Sequence, residues 1–333
     1  MNSHLHAITI LRAAKISIMS KRNLTFALIT ETDMKEIKQN SLQAWLLAAR
    51  PKTLTGAIIP VLIGTALTLA NAEFKAIPAL LCFLFACGMQ MAANFINDLF
   101  DYLKGTDRED RLGPERACAQ GWITPEAMKW GIGITVLLSC LIGCGLLYEC
   151  WGHLPYGGWE LIALGATCVL FAFLYTTILS YQGWGDLLVL IFFGFVPVCG
   201  TYYVQAYTIT ADVVVASLIS GIVIDTLLVV NNYRDREQDA LSGKRTLIVR
   251  FGEPFGRYLY LGLGIVATLL CFWFVKDWNI TAILLPFFYL FAHVRTWRRM
   301  CEIRSGKKLN SILGETSRNM LFMGLLLSAA IIM

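Results

Sequence analysis

Apolar residues run through this chain in long blocks rather than in alternation. The blocks cover residues 54–71, 77–97, 130–149, 160–179, 186–204, 212–232, 257–275, 280–297 and 311–333, with shorter polar connections between them. A half-buried strand would alternate every second position, whereas these blocks approach the length of about 20 residues that crosses a bilayer core. Lipid offers no water to backbone groups, so each block must satisfy its own N–H and C=O groups as a helix. The pattern predicts an all-α, polytopic membrane protein of nine transmembrane helices.

Composition sharpens this picture. Of the 333 residues, 56% are hydrophobic and 15% charged, with a mean hydropathy of +0.60. Soluble domains carry about 25% charged residues, so a soluble enzyme is excluded. All but Lys75 and Lys276 of the 28 Lys and Arg lie on or near alternate connections: the N-terminal stretch, 99–129, 180–185, 233–257 and 298–310. Basic connections stay in the cytoplasm, which predicts a cytoplasmic N-terminus. The net charge of +5 therefore reports topology. The basic residues are scattered among acids, which argues against a nucleic-acid partner, and nothing suggests an obligate protein partner. Ten cysteines form no C-x-x-C pair, and most fall within apolar blocks, so no disulfide framework or zinc site is expected. Residues 1–43 read as a disordered or interfacial tail without a small-residue cleavage site, and residues 44–333 as the membrane domain.

Two polar stretches stand where apolar blocks end. "NFINDLFDYLKGTD" (94–107) follows the second block, and "NNYRDREQDALSGKRTL" (231–247) follows the sixth. Both hold Asn-x-x-x-Asp, as Asn94 with Asp98 and as Asn231 with Asp235. Helical positions four apart differ by about 40° in direction. On that geometry Asn94, Asp98 and Asp101 share one face, and Asn231, Asp235 and Asp239 another. Acids at a helix C-terminus oppose the macrodipole and need positive compensation. Oxygen-only donors, carboxylate and amide, suit a hard cation such as Mg2+, which takes a few carboxylates plus substrate phosphate. Cations follow each stretch: Lys104, Arg108, Arg111 and Arg116 after the first, Lys244 and Arg245 after the second.

At these residues the chain resembles the UbiA-type intramembrane prenyltransferases, over about residues 44–333. The resemblance implies helices around a central cavity open toward the cytoplasmic side. It implies Mg2+ ions that bind the isoprenoid diphosphate, with Asn94, Asp98, Asp101 and the outlying Asp107 at one metal site and Asn231, Asp235 and Asp239 at the other. Further segments, "RPKTL" (50–54), "DRLGPERACAQGWIT" (110–124), "GDLLVLIFFGFVPVCGTYY" (185–203) and "GKRTLIVRFG" (243–252), are similar to the branch whose acceptor is 1,4-dihydroxy-2-naphthoate. That similarity implies Lys52, Arg116, Lys244 and Arg245 on the diphosphate side, and Tyr175 and Asp186 on the acceptor side. It also implies transfer of a polyprenyl group from polyprenyl diphosphate with loss of CO2, with Asp98, Asp101, Asp235, Asp239 and Tyr175 as catalytic groups.

Two alternatives stay open in the residues themselves. One is the same transfer to another aromatic acceptor, such as 4-hydroxybenzoate; the other is a cation- or proton-coupled transporter, suggested by Asp225 deep in the sixth block. Asp225 has no place in the family pattern. His293, close to Arg295, reads as an interfacial residue.

Overall fold

The computed structural model describes residues 37–105, 111–275 and 280–333. Among the described residues there is no strand. A short helix α1 (Leu42–Ala49) and a 3-10 turn (Pro51–Thr53) lead into α2 (Thr55–Ala70) and α3 (Ala76–Leu103). Then come α4 (Pro125–Glu149), α5 (Trp159–Gln182), α6 (Gly185–Ala206), α7 (Ala211–Leu241) and α8 (Leu247–Phe274). The chain ends with α9 (Ile280–Ile303) and α10 (Leu309–Ile332). Each of the nine apolar blocks is thus a helix. Hydroxyl caps start several of them: Ser41, Thr124, Thr210 and Thr246 accept from the backbone N–H three residues on.

The helices pack so that α2 touches α3, α6, α7 and α10, while α7 touches α6, α8 and α10. The last helix therefore closes against the first long one, and α9 bridges α8 and α10. The main core lies between α2, α6, α7 and α10, around Ile59, Ile63, Tyr202, Ile219, Met320 and Leu327. The outer faces are also apolar. Leu137, Leu138 and Leu141 of α4, Leu80 and Leu84 of α3, and Phe288 and Phe291 of α9 are all exposed. Such a surface is stable only where the solvent is itself apolar, and the chain is an integral membrane protein.

Among the described residues six helices, α3 to α8, are long and apolar enough to span a membrane; α1 with α2 makes a seventh if that pair, bent by 52°, is one span. α9 and α10 are of spanning length but more polar. α9 carries Arg295, Arg298, Arg299 and Glu302 in its second half, and α10 has Glu315 and Arg318 near its centre.

Several helices outrun their apolar blocks. α3 continues to Leu103 and α7 to Leu241, so both polar stretches begin as helix rather than loop. Residues 37–43 are tied down rather than loose: the Asn40 N–H donates to Trp122 O (2.7 Å), and Gln39 Nε2 donates to Gly121 O (3.1 Å). His293 is not interfacial. It is buried, stacked on Tyr260 with ring centroids 4.4 Å apart, and its Nε2 lies 2.9 Å from Tyr260 O.

Candidate active site

A cavity of about 700 Å³ opens at the end of the bundle where α3 and α7 terminate. Its wall is drawn from the α1–α2 junction, the last turns of α3 and α7, the 111–116 and 242–246 connections, the α5–α6 junction and the start of α10. These are the segments that carry the basic connections, so the cavity mouth and the charge asymmetry share one end of the molecule.

α3 holds two overlapping Asn-x-x-x-Asp pairs, and the cavity receives the second. Asn97 and Asp101 line the wall, matching Asn231 and Asp235 of α7. The Asn94–Asp98 pair lies three positions earlier, which turns it about 60° around the helix. Asn94 is buried, and its amide donates to Ala49 O (2.9 Å) and Thr53 Oγ1 (3.0 Å), tying α3 to α1 and the 3-10 turn. Asp98 is 1% exposed and accepts from the backbone N–H of Ala117 (2.9 Å) and Cys118 (2.8 Å), with Arg50 Nη2 at 3.7 Å. Neither Asn94 nor Asp98 lines the cavity. Asp98 instead anchors the connection that carries Arg116 into it.

The compensation expected from metal is already supplied by side chains. Arg116 Nη2 donates to Asp101 Oδ2 at 2.9 Å. Arg234 forks onto Asp235 through Nε (2.7 Å) and Nη2 (2.6 Å), while its Nη1 donates to Asn310 Oδ1 of α10 (2.9 Å). Lys244 Nζ lies 3.1 Å from Asp239 Oδ1. Burial alone would depress the Lys244 ammonium, but Asp239, and behind it Asp101, outweigh burial and raise its pKa above the ordinary lysine value. One lysine thus senses an acid of each polar stretch. The two stretches converge.

Tyr175 and Asp186 line the deeper wall beside Gly185. Tyr175 lies within electrostatic reach of Asp186, Asp225, Asp101 and Asp239. It opens a single π-type turn, Tyr175–Leu179, and a second such turn, Leu190–Phe195, follows in α6. Turns of this kind gather at functional sites. Lys52 lines the cavity; Arg245 does not, being exposed with its N–H donating to Tyr181 O (2.9 Å). Asp107 lies outside the described residues. The sequence pattern does not single out Asn97, Arg50, Arg234, Gln238 or Asn310, which all line the cavity; Asn232, in line with Asp225 and Asp239 at spacings of seven, lines it too. Asn97 stands four residues before Asp101, as Asn94 stands before Asp98, so its signal is present in the sequence.

The wall offers a hard cation oxygen donors from Asp101, Asp235, Asp239, Asn97 and Asn231. Among the described residues no three Asp, Glu, His or Cys side chains gather tightly enough to hold an ion by themselves. That arrangement fits Mg2+, which keeps several waters and draws the rest of its shell from one or two carboxylates and a phosphate.

The chain is similar in sequence and in fold to known proteins. The UbiA prenyltransferase family profile matches residues 57–324. A 1,4-dihydroxy-2-naphthoate octaprenyltransferase of Haemophilus influenzae is 37% identical over 243 residues, 71% of this chain and 78% of that protein. Its counterpart in Mycobacterium tuberculosis is 34% identical over 87% of this chain and 97% of its own length. In fold the chain is similar to a UbiA homolog from Aeropyrum pernix K1, with a TM-score of 0.62 at 14% identity, covering 85% of this chain and 98% of that one. A UbiA homolog from Archaeoglobus fulgidus bound to GPP and Mg2+ aligns with a TM-score of 0.61 at 14% identity, over 86% of this chain and 99% of that one.

Proposed function

This chain belongs to the UbiA prenyltransferase family, and on that premise we propose that it transfers a polyprenyl group from polyprenyl diphosphate to 1,4-dihydroxy-2-naphthoate, with loss of CO2, to give demethylmenaquinol. The observation that carries this reading is the meeting of two Asn-x-x-x-Asp helix ends, each acid already matched with a cation, around one cavity. The acceptor follows from relatives that bear this activity in their names.

The side chains divide the work. Arg116, Lys244 and Lys52 bind the diphosphate, the first two exchanging Asp101 and Asp239 for phosphate oxygens. Asp101, Asp235 and Asp239, with the amides of Asn97 and Asn231, would hold Mg2+. When bound, Mg2+ supplies charge neutralisation and Lewis-acid assistance to the departing diphosphate. Asn94 and Asp98, carried to a metal site by the family pattern, act at one remove: they seat α1 and the Arg116 connection. Tyr175 faces the allylic carbon with its ring, an interaction of about 0.5–2 kcal/mol. The buried wall also keeps water from a carbocation it would otherwise hydrolyse.

The membrane setting suits a substrate with an insoluble tail and a charged head. In this reading α2 to α10 all span the bilayer, and the cavity opens to the cytoplasm of a bacterial inner membrane, as its basic rim favours. Residues 44–333 form the enzymatic unit, with 37–43 packed onto it. The partners are the two substrates and the surrounding lipid.

Membranes holding the protein, incubated with labelled polyprenyl diphosphate, Mg2+ and either 1,4-dihydroxy-2-naphthoate or 4-hydroxybenzoate, are read by product mass spectrometry. A decarboxylated prenyl-naphthalenediol is expected. Product from 4-hydroxybenzoate alone reassigns the acceptor. A coupled transporter is disfavoured because such sites lie near the bilayer midplane, whereas these acids sit at one end of the bundle. Asp101→Ala and Asp235→Ala should each abolish prenyl transfer; full activity in both would overturn the assignment.

A further inference from the structure

Asp225 remains unexplained by the donor site. It is 3% exposed, within α7, and its Oδ1 is buried with no hydrogen-bond partner. Native proteins rarely leave a buried carboxyl oxygen unpaired, because desolvation is costly. On α7 it belongs to a definite stripe: positions 225, 228, 232, 235 and 239 recur at helical spacing, and the last four line the cavity. Asp225 therefore lies one turn below the lined wall, on the cavity side.

The packing of α6 against α7 shows what faces it. Ser220 Oγ donates to Phe193 O at 3.0 Å. A Cβ placed on Gly221 would stand 3.0 Å from Leu190 Cα, one on Gly194 2.5 Å from Ser217 O, and one on Gly185 3.2 Å from Leu228 Cδ2. These contacts fix an antiparallel register in which position 186 stands level with position 225. Asp186 lines the cavity, and its charge reaches Asp225. Tyr175 Oη, 3.8 Å from that Gly185 Cβ position, completes the group.

We propose that Asp186 and Asp225 form a carboxyl pair sharing one proton at the cavity floor, with Asp186 the base for the hydroxyl of the aromatic acceptor and Asp225 the residue that positions it. The inference rests on the prenyl-transfer reading. Two carboxylates at close range do not both ionise, so the shared proton explains how both are tolerated within a membrane helix. In the reaction the acceptor O–H bond breaks and its hydrogen passes to Asp186. The released electron pair moves into the ring, whose nucleophilic carbon bonds to the allylic carbon. The allylic C–O bond breaks with its pair leaving on the diphosphate. CO2 then leaves from that ring carbon, its C–C bond pair restores the aromatic ring and the negative charge on oxygen, and the oxygen takes its hydrogen back from Asp186.

The test uses the full chain in proteoliposomes with polyprenyl diphosphate, Mg2+ and 1,4-dihydroxy-2-naphthoate. Asp225→Asn is expected to lower kcat/KM for the acceptor at least tenfold, to leave KM for the prenyl diphosphate within twofold, and to leave the thermal midpoint in detergent unchanged. Because Asp225 acts through Asp186, the double variant D186N/D225N should be no slower than D186N, a non-additivity that a packing role would not produce. Acceptor kinetics within twofold of the parent, additive losses, or equal losses toward both substrates would overturn the pair. Should D225N fail to fold, infrared difference spectra of the unmutated protein decide: acceptor binding must perturb a protonated-carboxyl band, and its absence overturns the pair. An unmutated protein that prenylates no aromatic acceptor removes the underlying reading as well, whereas normal turnover with an indifferent D225N removes the pair alone.

Discussion

At the scale of single residues, the sharpest lesson lies in α3, where two Asn-x-x-x-Asp pairs overlap. Asn97 and Asp101 face the cavity, while Asn94 and Asp98 face protein. Asn97→Ala and Asp101→Ala should therefore cut turnover by about 100-fold or more with little change in thermal midpoint. Asn94→Ala removes a donor from the buried Ala49 O and the half-buried Thr53 Oγ1 and should cost about 1–3 kcal/mol of stability. Its activity per folded molecule should stay within a few fold, as purified proteins compared by detergent unfolding and by initial rate would show. Asp98→Ala should lose both stability and rate, since it frees the Ala117 and Cys118 N–H groups and the connection bearing Arg116. The spacing in the sequence was legible, yet spacing alone cannot choose between stripes about 60° apart. That choice is made by what packs on the other side, here Ala49 O and Thr53 Oγ1, and neither is visible in the polar pattern. Lys244 shows the converse case, since its place after the second acidic stretch did point to a cavity role. With Asp239 ionised, its raised pKa means that the stability from their ion pair is fully present below the ordinary lysine pKa and is lost as pH rises through the raised one. Lys244→Gln should thus lower the thermal midpoint equally at pH 6 and pH 8.

At the scale of elements, the nine apolar blocks predicted the helices well because lipid-facing and core-facing positions are both apolar, and length alone marks them. The blocks stopped short where the helix did not. α3 and α7 run on into polar sequence, because backbone bonding continues as long as side chains such as Asp98 and Asp239 find partners. The π-type turns at Tyr175–Leu179 and Leu190–Phe195 left no trace in the pattern, since one extra residue per turn hardly disturbs an unbroken apolar run. The close approach of α6 to α7 left no trace in the apolar pattern either. Gly194 lets α6 approach α7 so closely that a Cβ would stand 2.5 Å from Ser217 O. Gly194→Ala must push α6 away, an overpacking cost of about 1–3 kcal/mol, and it shifts Asp186 on the same helix. A lowered thermal midpoint with a raised KM for the aromatic acceptor is expected; a parent-like midpoint would show that α6 gives way freely.

At the scale of the whole molecule, the cavity joins two environments, and the charges around its mouth are balanced before any ligand arrives. Asp101 is held by Arg116, Asp235 by Arg234 and Asp239 by Lys244. Divalent metal entering alone meets carboxylates whose charge is already countered, and no three of the described acids gather on one point. A diphosphate entering alone meets Arg116 and Lys244 already engaged by Asp101 and Asp239. Each ligand releases the groups that the other needs, so the two should bind cooperatively. The expectation is definite: Mg2+ alone or polyprenyl diphosphate alone should barely raise the thermal midpoint, and the two together should raise it clearly. Ligand at 100 times its dissociation constant stabilises by about 2.7 kcal/mol, which is readily seen in a melting curve. Chelation by EDTA should leave the ligand-free midpoint unchanged, since Arg116, Arg234 and Lys244 rather than metal neutralise the acids. A large stabilisation by Mg2+ alone would mean that the carboxylates form a cage without the substrate, and the ion pairs described here would then not be the resting state of the site.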